Sequence, residues 1–412
     1  MRRYHPIKRM LPLLLLAAAT PAAASEVRLV PSVTVSEEVN DNIRELREGA
    51  RTELVTRVQP GGQLSYRGPY TNLDVAYNLD YRYYARNTRD DELNHAASLK
   101  GALRLWDEFF ILEASDSFTR VSLDLARDTV QESVLVNQAD QNIATVSPFL
   151  TWRLGAKSVL QTGYRFSDIR YWSDTAIDKQ VHAAFADYTH KFSERFEFNA
   201  GYHFSYTDTA RTSYRKHELS TGLRYQYREK SFFYGGVGHS WLDFSNGLKS
   251  SDPFWNVGVT NDFDLAVATL ESRVQYTEDP LTLSTKQTDY TFKLDKALER
   301  GRLWFSTGYT QYRVTLDATQ DRKRAQVVLG GSHELGRGLS ATASATGERL
   351  SRNSTTFNLP YHMVASGTLS YAMGEGMTLA GTYSHISYRE EPGESAGSVE
   401  VNRGIVELRK VF

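Results

Sequence analysis

The segment "TNLDVAYNLDYRYYA", residues 71–85, alternates between apolar and polar side chains along almost its whole length. Leu73, Val75, Tyr77, Leu79, Tyr81 and Tyr83 share one parity, and Asn72, Asp74, Asn78, Asp80 and Arg82 share the other. A period of two is typical of a β-strand with one apolar and one polar face. Strands of soluble proteins are usually about 5–6 residues long, so the segment predicts a sheet with unusually long strands.

The same alternation recurs along the chain, for example in "RFEFNAGYHFSYTD" at 195–208, "HELSTGLRYQY" at 217–227 and "QTDYTFKLDKA" at 287–297. Between such segments, nine short breaks alternate with ten longer polar breaks, and the series begins and ends with a long one. This layout predicts twenty strands with both chain ends on the short-turn side. Because Pro31 cannot donate a ladder hydrogen bond in the first strand, eighteen strands is the alternative.

Even strand number, short turns at one end and longer loops at the other are typical of outer-membrane barrels. Lipid cannot bond to an open sheet edge, so such a sheet must close on itself. We therefore predict an all-β fold, a transmembrane antiparallel up-and-down β-barrel with short periplasmic turns and longer outside loops. The net charge of −1 suggests no nucleic-acid partner, and the absence of cysteine excludes disulfides and thiolate metal sites.

The two chain termini carry features of an exported barrel. The basic start "MRRYHPIKRM", the apolar run "LPLLLLAAAT" and the small residues that follow predict a signal peptide at 1–24. The alternative of a retained membrane anchor is disfavoured, because a spanning helix needs about 20 apolar residues. Residues 25–412 are then a single barrel domain. The final strand ends in Phe412, an aromatic terminus that resembles the recognition signal of outer-membrane barrels.

Aromatic residues cluster where strands meet the short turns, and we predict that they form girdles at the membrane interface. The set comprises Trp106, Phe109, Phe192, Phe196, Tyr227, Phe232 and Trp304. The recurrence of aromatics at turn after turn favours girdles over ordinary core packing.

The first third of the chain resembles a known bacterial family. The stretches "VPSVTVSEEVNDNI", "TELVTRVQPGGQLSYRG", "ELNHAASLKGALRLWDEFFILEAS" and "SPFLTWRLGAKSVLQTGYRFSDIRYW" follow in that order between residues 28 and 172. They are similar to the PEP-CTERM system-associated outer-membrane β-barrel protein family. The resemblance implies a β-barrel porin associated with exopolysaccharide gene clusters and a protein-sorting system, and it carries no catalytic residues.

The polar parity of the strands is the candidate functional surface. It contains Asp74, Asp80, Arg82, Lys100, Arg104, Glu113, Arg165, Glu197, Arg224, Glu271, Arg273, Lys293, Asp295, Glu348, Glu407 and Arg409. A lining of one charge sign would indicate ion selectivity, whereas both signs are mixed here. The side chains either form ion pairs that fill a wide, wet lumen, or line a hydrophilic conduit for neutral or weakly charged sugar or polymer.

The longest break, residues 121–140, exceeds what a surface hairpin needs, and connections beyond about 12–15 residues are usually functional or disordered. It combines apolar residues with Asp124, Arg127, Asp128 and Glu132. One interpretation is a segment that folds inward and narrows the pore. The other is a pair of strands that extend beyond the membrane.

Three functions remain open from the sequence. The first is a passive outer-membrane channel in a Gram-negative bacterium, linked to exopolysaccharide export or surface assembly. The second is a structural or docking barrel with a closed lumen, and the third, less favoured, is a barrel enzyme. No catalytic motif, cofactor site or metal site is predicted. The expected partners are outer-membrane lipid and lipopolysaccharide, the barrel assembly machinery, and polysaccharide or export components.

Overall fold

The computed structural model describes residues 25–126, 137–315, 317–352, 360–390 and 397–412, so the predicted signal peptide lies outside the described residues. The described chain forms one sheet of twenty antiparallel strands. The first and last strands pair from Ser32 opposite Val411 to Asn40 opposite Arg403, which closes the sheet into a barrel. The predicted 20-stranded barrel is confirmed, and the alternative of eighteen strands is wrong.

The strands follow one another around the ring in chain order. The first ten are β1 Glu26–Asn40, β2 Glu53–Arg67, β3 Thr71–Tyr84, β4 Glu92–Leu105, β5 Phe110–Ser122, β6 Gln138–Gly155, β7 Ser158–Tyr171, β8 Lys179–Lys191, β9 Phe196–Thr209 and β10 Ser213–Arg228. The second ten are β11 Ser231–Phe244, β12 Lys249–Asp262, β13 Val267–Thr277, β14 Thr285–Leu298, β15 Gly301–Val314, β16 Arg322–Gly336, β17 Leu339–Arg352, β18 Tyr361–Gly374, β19 Met377–Arg389 and β20 Ser398–Val411. A short 3₁₀ helix, Ala318–Gln320, precedes β16.

Pro31 is accommodated within β1 because of its position in the sheet. The ladder between β1 and β20 begins one residue later, at Ser32. The Pro31 carbonyl still accepts a hydrogen bond of 3.0 Å from the Phe412 amide. The residue that cannot donate therefore lies where the closing ladder starts, a strand position at which proline is tolerated.

The outer surface of the barrel is apolar. Large side chains such as Leu219, Leu223 and Tyr202 are 55%, 38% and 45% exposed, and neighbouring strands repeat this pattern. A continuous apolar surface of this kind is stable in lipid rather than in water. Among the described residues, no helix is long and apolar enough to cross a membrane.

The two ends of the barrel differ less than the sequence indicated. The turns at one end are short throughout, as at 229–230, 299–300 and 375–376. Two connections at the opposite end are also short, because β9 to β10 takes only residues 210–212 and β11 to β12 only 245–248. The polar residues beside these two connections, which the sequence pattern assigned to loops, are the ends of strands that are longer than predicted. The longer connections at that end include 41–52, 123–137, 278–284 and 315–321.

Glycine fixes the geometry of the tight turn between β18 and β19. Gly374, Glu375 and Gly376 all have positive φ, at 87°, 49° and 73°. Primed hairpin turns require this conformation, which glycine adopts without steric cost. A Cβ on Gly376 would lie 2.4 Å from the carbonyl oxygen of Val411, so there is no space for a side chain at this position.

The orientation of the barrel can be tested by labelling single cysteines on intact cells. Asn87 lies exposed in a connection at the loop end, and Glu194 lies exposed in the turn between β8 and β9. Because short turns face the periplasm in barrels of this class, N87C should react with an impermeant maleimide on intact cells. E194C should react only after the outer membrane is permeabilised. Reaction of E194C on intact cells would mean that the barrel is inserted the other way round.

Candidate functional site

Contacts across the barrel identify its lumen face. Ala126, just after β5, is buried against Tyr312 of β15 and Leu350 of β17, on the far side of the ring. Because paired residues of adjacent strands share a face, this contact assigns one parity of every strand to the lumen. The structure brings all the predicted lumen residues onto that parity: Asp74, Asp80, Arg82, Lys100, Arg104, Glu113, Arg165, Glu197, Arg224, Glu271, Arg273, Lys293, Asp295, Glu348, Glu407 and Arg409. Their contact with a solute stays a prediction.

Several of these lumen residues form ion pairs. Arg57 donates two hydrogen bonds of 2.7 and 2.8 Å to the Asp80 carboxylate, and Arg82 donates to the same carboxylate at 2.9 Å. Glu348 accepts a hydrogen bond of 2.6 Å from Gln326 and lies 3.2 Å from Nδ1 of His362. The lumen wall is therefore polar with both signs of charge close together, and this pairing weakens any single-sign field along the lumen.

A polar recess of about 750 Å³ lies in the lumen wall where the barrel closes. Its lining includes Asp80 and Arg82 of β3 together with Glu407 and Arg409 of β20. Two predicted residues of β3 and two of β20, which are more than 300 positions away in sequence, thus line one recess. Only the pairing of β1 with both β2 and β20 brings them together.

Two aromatic residues assigned to the girdles face the lumen instead. Phe232 pairs with Gln226 on the lumen parity, and its ring centroid lies 4.0 Å from the Arg224 guanidinium. Trp304 pairs with Gly330, and its ring occupies the space that a Cβ at Gly330 would need, 2.4 Å away. Nearness to a turn does not decide which way a side chain points. Counting the alternation from the end of each strand would have placed both aromatic residues on the lumen face.

A second pair of lumen aromatics was missed by the sequence analysis. Phe149 of β6 and Phe185 of β8 flank Gly163 of β7, with ring centroids 6.2 Å apart. A Cβ at Gly163 would lie 2.4 Å from the Cβ of Phe149 and 2.7 Å from the Phe185 ring, so the glycine lets the Phe185 ring lie against the wall. The guanidinium of Arg165 stands 5.5 Å from the Phe185 ring centroid. The lumen therefore carries aromatic surface beside charged groups.

The loop between β13 and β14, residues 278–284, folds into the lumen at the loop end of the barrel. Lys179 of β8, five strands away around the ring, donates hydrogen bonds to the Glu278 carboxylate at 2.7 Å and to the Asp279 carbonyl oxygen at 2.9 Å. The Tyr171 hydroxyl donates to Glu278 at 3.1 Å. Burial raises the pKa of Glu278, and the ammonium of Lys179 opposes that rise.

Arg322, the first residue of β16, holds the other side of this loop. Its guanidinium is 3% exposed and donates a hydrogen bond to the fully buried Asp279 carboxylate. It also lies 3.2 Å from the Asp124 carboxylate. We call Asp124, Lys179, Glu278, Asp279 and Arg322 the mouth cluster. Because it ties the β5–β6 and β13–β14 connections to the first residues of β8 and β16, the mouth cluster fixes these two loops across the entrance of the barrel.

The segment predicted to narrow the pore is described only at its start. Leu123 and Ala126 are buried, and Asp124 belongs to the mouth cluster. Arg127, Asp128 and Glu132 lie outside the described residues. Residues 123–126 therefore lie inside the entrance rather than in an outward hairpin, while an effect on conductance stays a prediction.

The strand pairing next to the mouth cluster is unusually short. β12 and β13 pair only from Asn256 opposite Arg273 to Asp262 opposite Val267, the shortest of the barrel ladders. Beyond that point Lys286 of β14 bonds to Asp252 at 2.9 Å, and Asp252 lies on the lumen parity of β12. The tip of the β13–β14 hairpin has thus left the wall and packs against its inner face.

The C-terminal residue lies on the lipid face. Phe412 continues the parity of Leu408 and Val406 and is 69% exposed. The Lys410 ammonium stands 5.6 Å from the Phe412 ring centroid. The exposure of Phe412 suits its predicted role as an assembly signal, and that role stays a prediction.

Comparisons with known proteins agree with this architecture. Residues 150–353 match the Gram-negative porin family. The fold is similar to the FrpB iron transporter from Neisseria meningitidis, with a TM-score of 0.57 and 8% identity over 93% of this chain and 82% of that one. It is also similar to the ferric-catecholate import receptor Fiu from E. coli, with a TM-score of 0.53 and 9% identity over 92% and 81% of the two chains.

A third similar structure is the copper transporter OprC, with a TM-score of 0.55 and 10% identity over 95% and 82% of the two chains. A search of curated protein sequences found no match. At these identities the structural likeness establishes the fold alone. Together with the porin match, it identifies the chain as a β-barrel of the Gram-negative outer membrane.

Proposed function

We propose that this barrel is a passive, porin-like channel for hydrophilic solutes, linked to exopolysaccharide export or surface assembly. The observation that carries the proposal is the closed ring of twenty strands whose lumen parity is lined by paired charges of both signs. Such a wall hydrates a solute without trapping an ion of one sign. The porin match over residues 150–353 supports the same function.

The lumen aromatics favour sugar as the solute class. The apolar face of a sugar ring can stack on Phe149, Phe185 or Trp304, while its hydroxyls bond to neighbouring charged groups. Arg165 and the pair formed by His203 and Asp187, 2.8 Å apart, stand on the same wall as Phe185. The link to exopolysaccharide rests on this chemistry and on the family resemblance of the first third of the chain.

A docking barrel with a closed lumen is the second candidate function. The mouth cluster favours it, because it draws the β13–β14 loop and the start of the β5–β6 connection into the entrance. In that case the outer loops would present a surface to a sorting or polysaccharide component. The two candidates differ in whether ions pass through the barrel.

Conductance of the refolded protein in a planar lipid bilayer tests the first candidate. We expect stable single-channel currents, and a reversal potential close to zero in a potassium chloride gradient because the lining charges are mixed. Heat-modifiable mobility in gels would verify that the sample is folded. Folded protein that never conducts would contradict the channel and leave the docking barrel.

A further inference from the structure

The lipid-facing wall of β15 to β19 contains a shallow groove of about 600 Å³. Its apolar lining includes Ala325, Val327, Gly347 and Met363. A second hollow of about 1080 Å³ lies beside it nearer the turn end of the wall, and its lining includes Gly331, Ala341, Ala343, Gly367, Gly381 and Gly404. The exposed side chain of Leu329 stands on β16 between the two. Together they form an apolar depression along the strands.

Four glycines of this depression are not needed for close packing. A Cβ on Gly347, Gly367, Gly381 or Gly404 would meet no protein atom within 4 Å. These four residues also lack the positive φ that favours glycine at the turns. By contrast, a Cβ on the lumen-facing Gly163 or Gly330 would collide with an aromatic ring. The missing side chains on the outer wall therefore leave an unfilled hollow facing lipid.

The loop end of the groove carries two arginines. Arg349 and Arg389 line it, and the Arg349 guanidinium lies 5.4 Å from the centroid of the Tyr361 ring. Arg389 is 63% exposed and forms an ion pair of 3.6 Å with Glu400. Glu390, also at this end, is paired with Arg47.

Two more cations extend this end of the wall. Arg313 of β15 and Lys323 of β16 share the outward parity with Arg349 and lie near the same ends of their strands. Positive charge on adjacent strands, immediately above an apolar groove, matches an anionic headgroup with acyl chains below it.

We propose that this groove binds one phosphorylated, acylated lipid of the outer leaflet, the lipid A part of lipopolysaccharide. An acyl chain lies over Gly347 and Val327, and a phosphate is held by the planar guanidinium groups of Arg349 and Arg389. The site is on the outside of the barrel, so it is independent of whether the lumen conducts. It also gives the expected lipopolysaccharide partner a defined position.

Native mass spectrometry tests the proposal. The refolded protein is mixed in detergent with increasing concentrations of bis-phosphorylated lipid A, and the bound lipid is counted after the detergent is removed in the gas phase. The wild type should retain one lipid A molecule at low lipid concentration. The double variant R349Q/R389Q removes two charge-assisted contacts and should weaken that binding by about tenfold or more. G347L should weaken it similarly by filling the groove, and it should fold because no protein atom occupies that space.

Matched control variants lie on another part of the same outer face. R215Q removes an exposed outward cation at the loop end of β10, and A184L adds bulk to the outward face of β8. Both should bind lipid A like the wild type. Free inorganic phosphate at millimolar concentration should not displace the lipid. Equal binding by wild type, R349Q/R389Q and G347L would overturn the proposal, as would retention of zwitterionic phospholipid in preference to lipid A.

Discussion

Leu223→Arg should prevent most of the protein from folding into lipid bilayers. Leu223 lies on the outward parity of β10, paired with Phe198 and Gly235, five positions before the strand ends at Arg228. A tilted strand crosses the hydrocarbon in about 9–11 residues, so this position is near the bilayer midplane. An arginine there costs about 2–4 kcal/mol, which is a large part of the stability of a typical domain. The measurement is the folded fraction in liposomes across a urea titration, read by heat-modifiable mobility.

Ser220→Arg is the matched control on the same strand. Ser220 faces the lumen between Gly201, which lies near the Asp187 carboxylate, and Gly238, which the Phe254 ring covers. A long side chain there can extend towards the lumen and reach Asp187. A cation is hydrated and paired there, and we expect folding close to that of the wild type. If both substitutions impaired folding equally, the assignment of the two parities to lipid and lumen would be wrong.

The barrel could be predicted because its two controlling signals are local. Alternation with a period of two gives the strands, and the polar or glycine-containing breaks give their ends. The segment 71–85 that first indicated a strand is β3, Thr71–Tyr84. The connections around 210–212 and 245–248 were predicted too long for the same reason, because β10 and β12 begin with polar residues that resemble a loop. Strands that rise beyond the bilayer no longer need an apolar face.

The arrangement of the lumen could be predicted only in part. The alternation along each strand correctly predicted which face of the barrel every candidate charged residue lies on, because backbone geometry alone fixes that alternation. It did not give the partners, because Asp124 and Arg322 are 198 positions apart and meet only when two loops fold inward. No periodic pattern marks residues 278–284 as a loop that leaves the wall. The empty outer groove was also unpredictable, since a glycine that packs against a ring and one that leaves a hollow look alike in sequence.

The second large effect is expected from Arg322→Leu, which removes the central charge of the mouth cluster. The Asp279 carboxylate would then be buried without its cation, and breaking a buried pair in this way costs about 3–5 kcal/mol. The β13–β14 loop can avoid that cost by moving Asp279 into water, which withdraws the loop from the entrance. We therefore expect a clear rise in single-channel conductance, or the first appearance of current if the wild type is closed. A cysteine at Leu281 should also become more reactive in this variant.

The double variant R322L/D279L separates loss of the charge pair from general damage to the mouth. It removes the Asp279 carboxylate together with its cation, and an apolar pair can replace a buried ion pair at little cost in stability. Its conductance should return towards that of the wild type. Arg215→Leu removes an outward cation that does not face the lumen and should leave conductance nearly unchanged. If Arg322→Leu altered neither conductance nor the reactivity at position 281, the ion pairs would not be what holds the loop in the entrance. Apolar contacts such as Ala126 with Tyr312 and Leu350 would then have to account for its position.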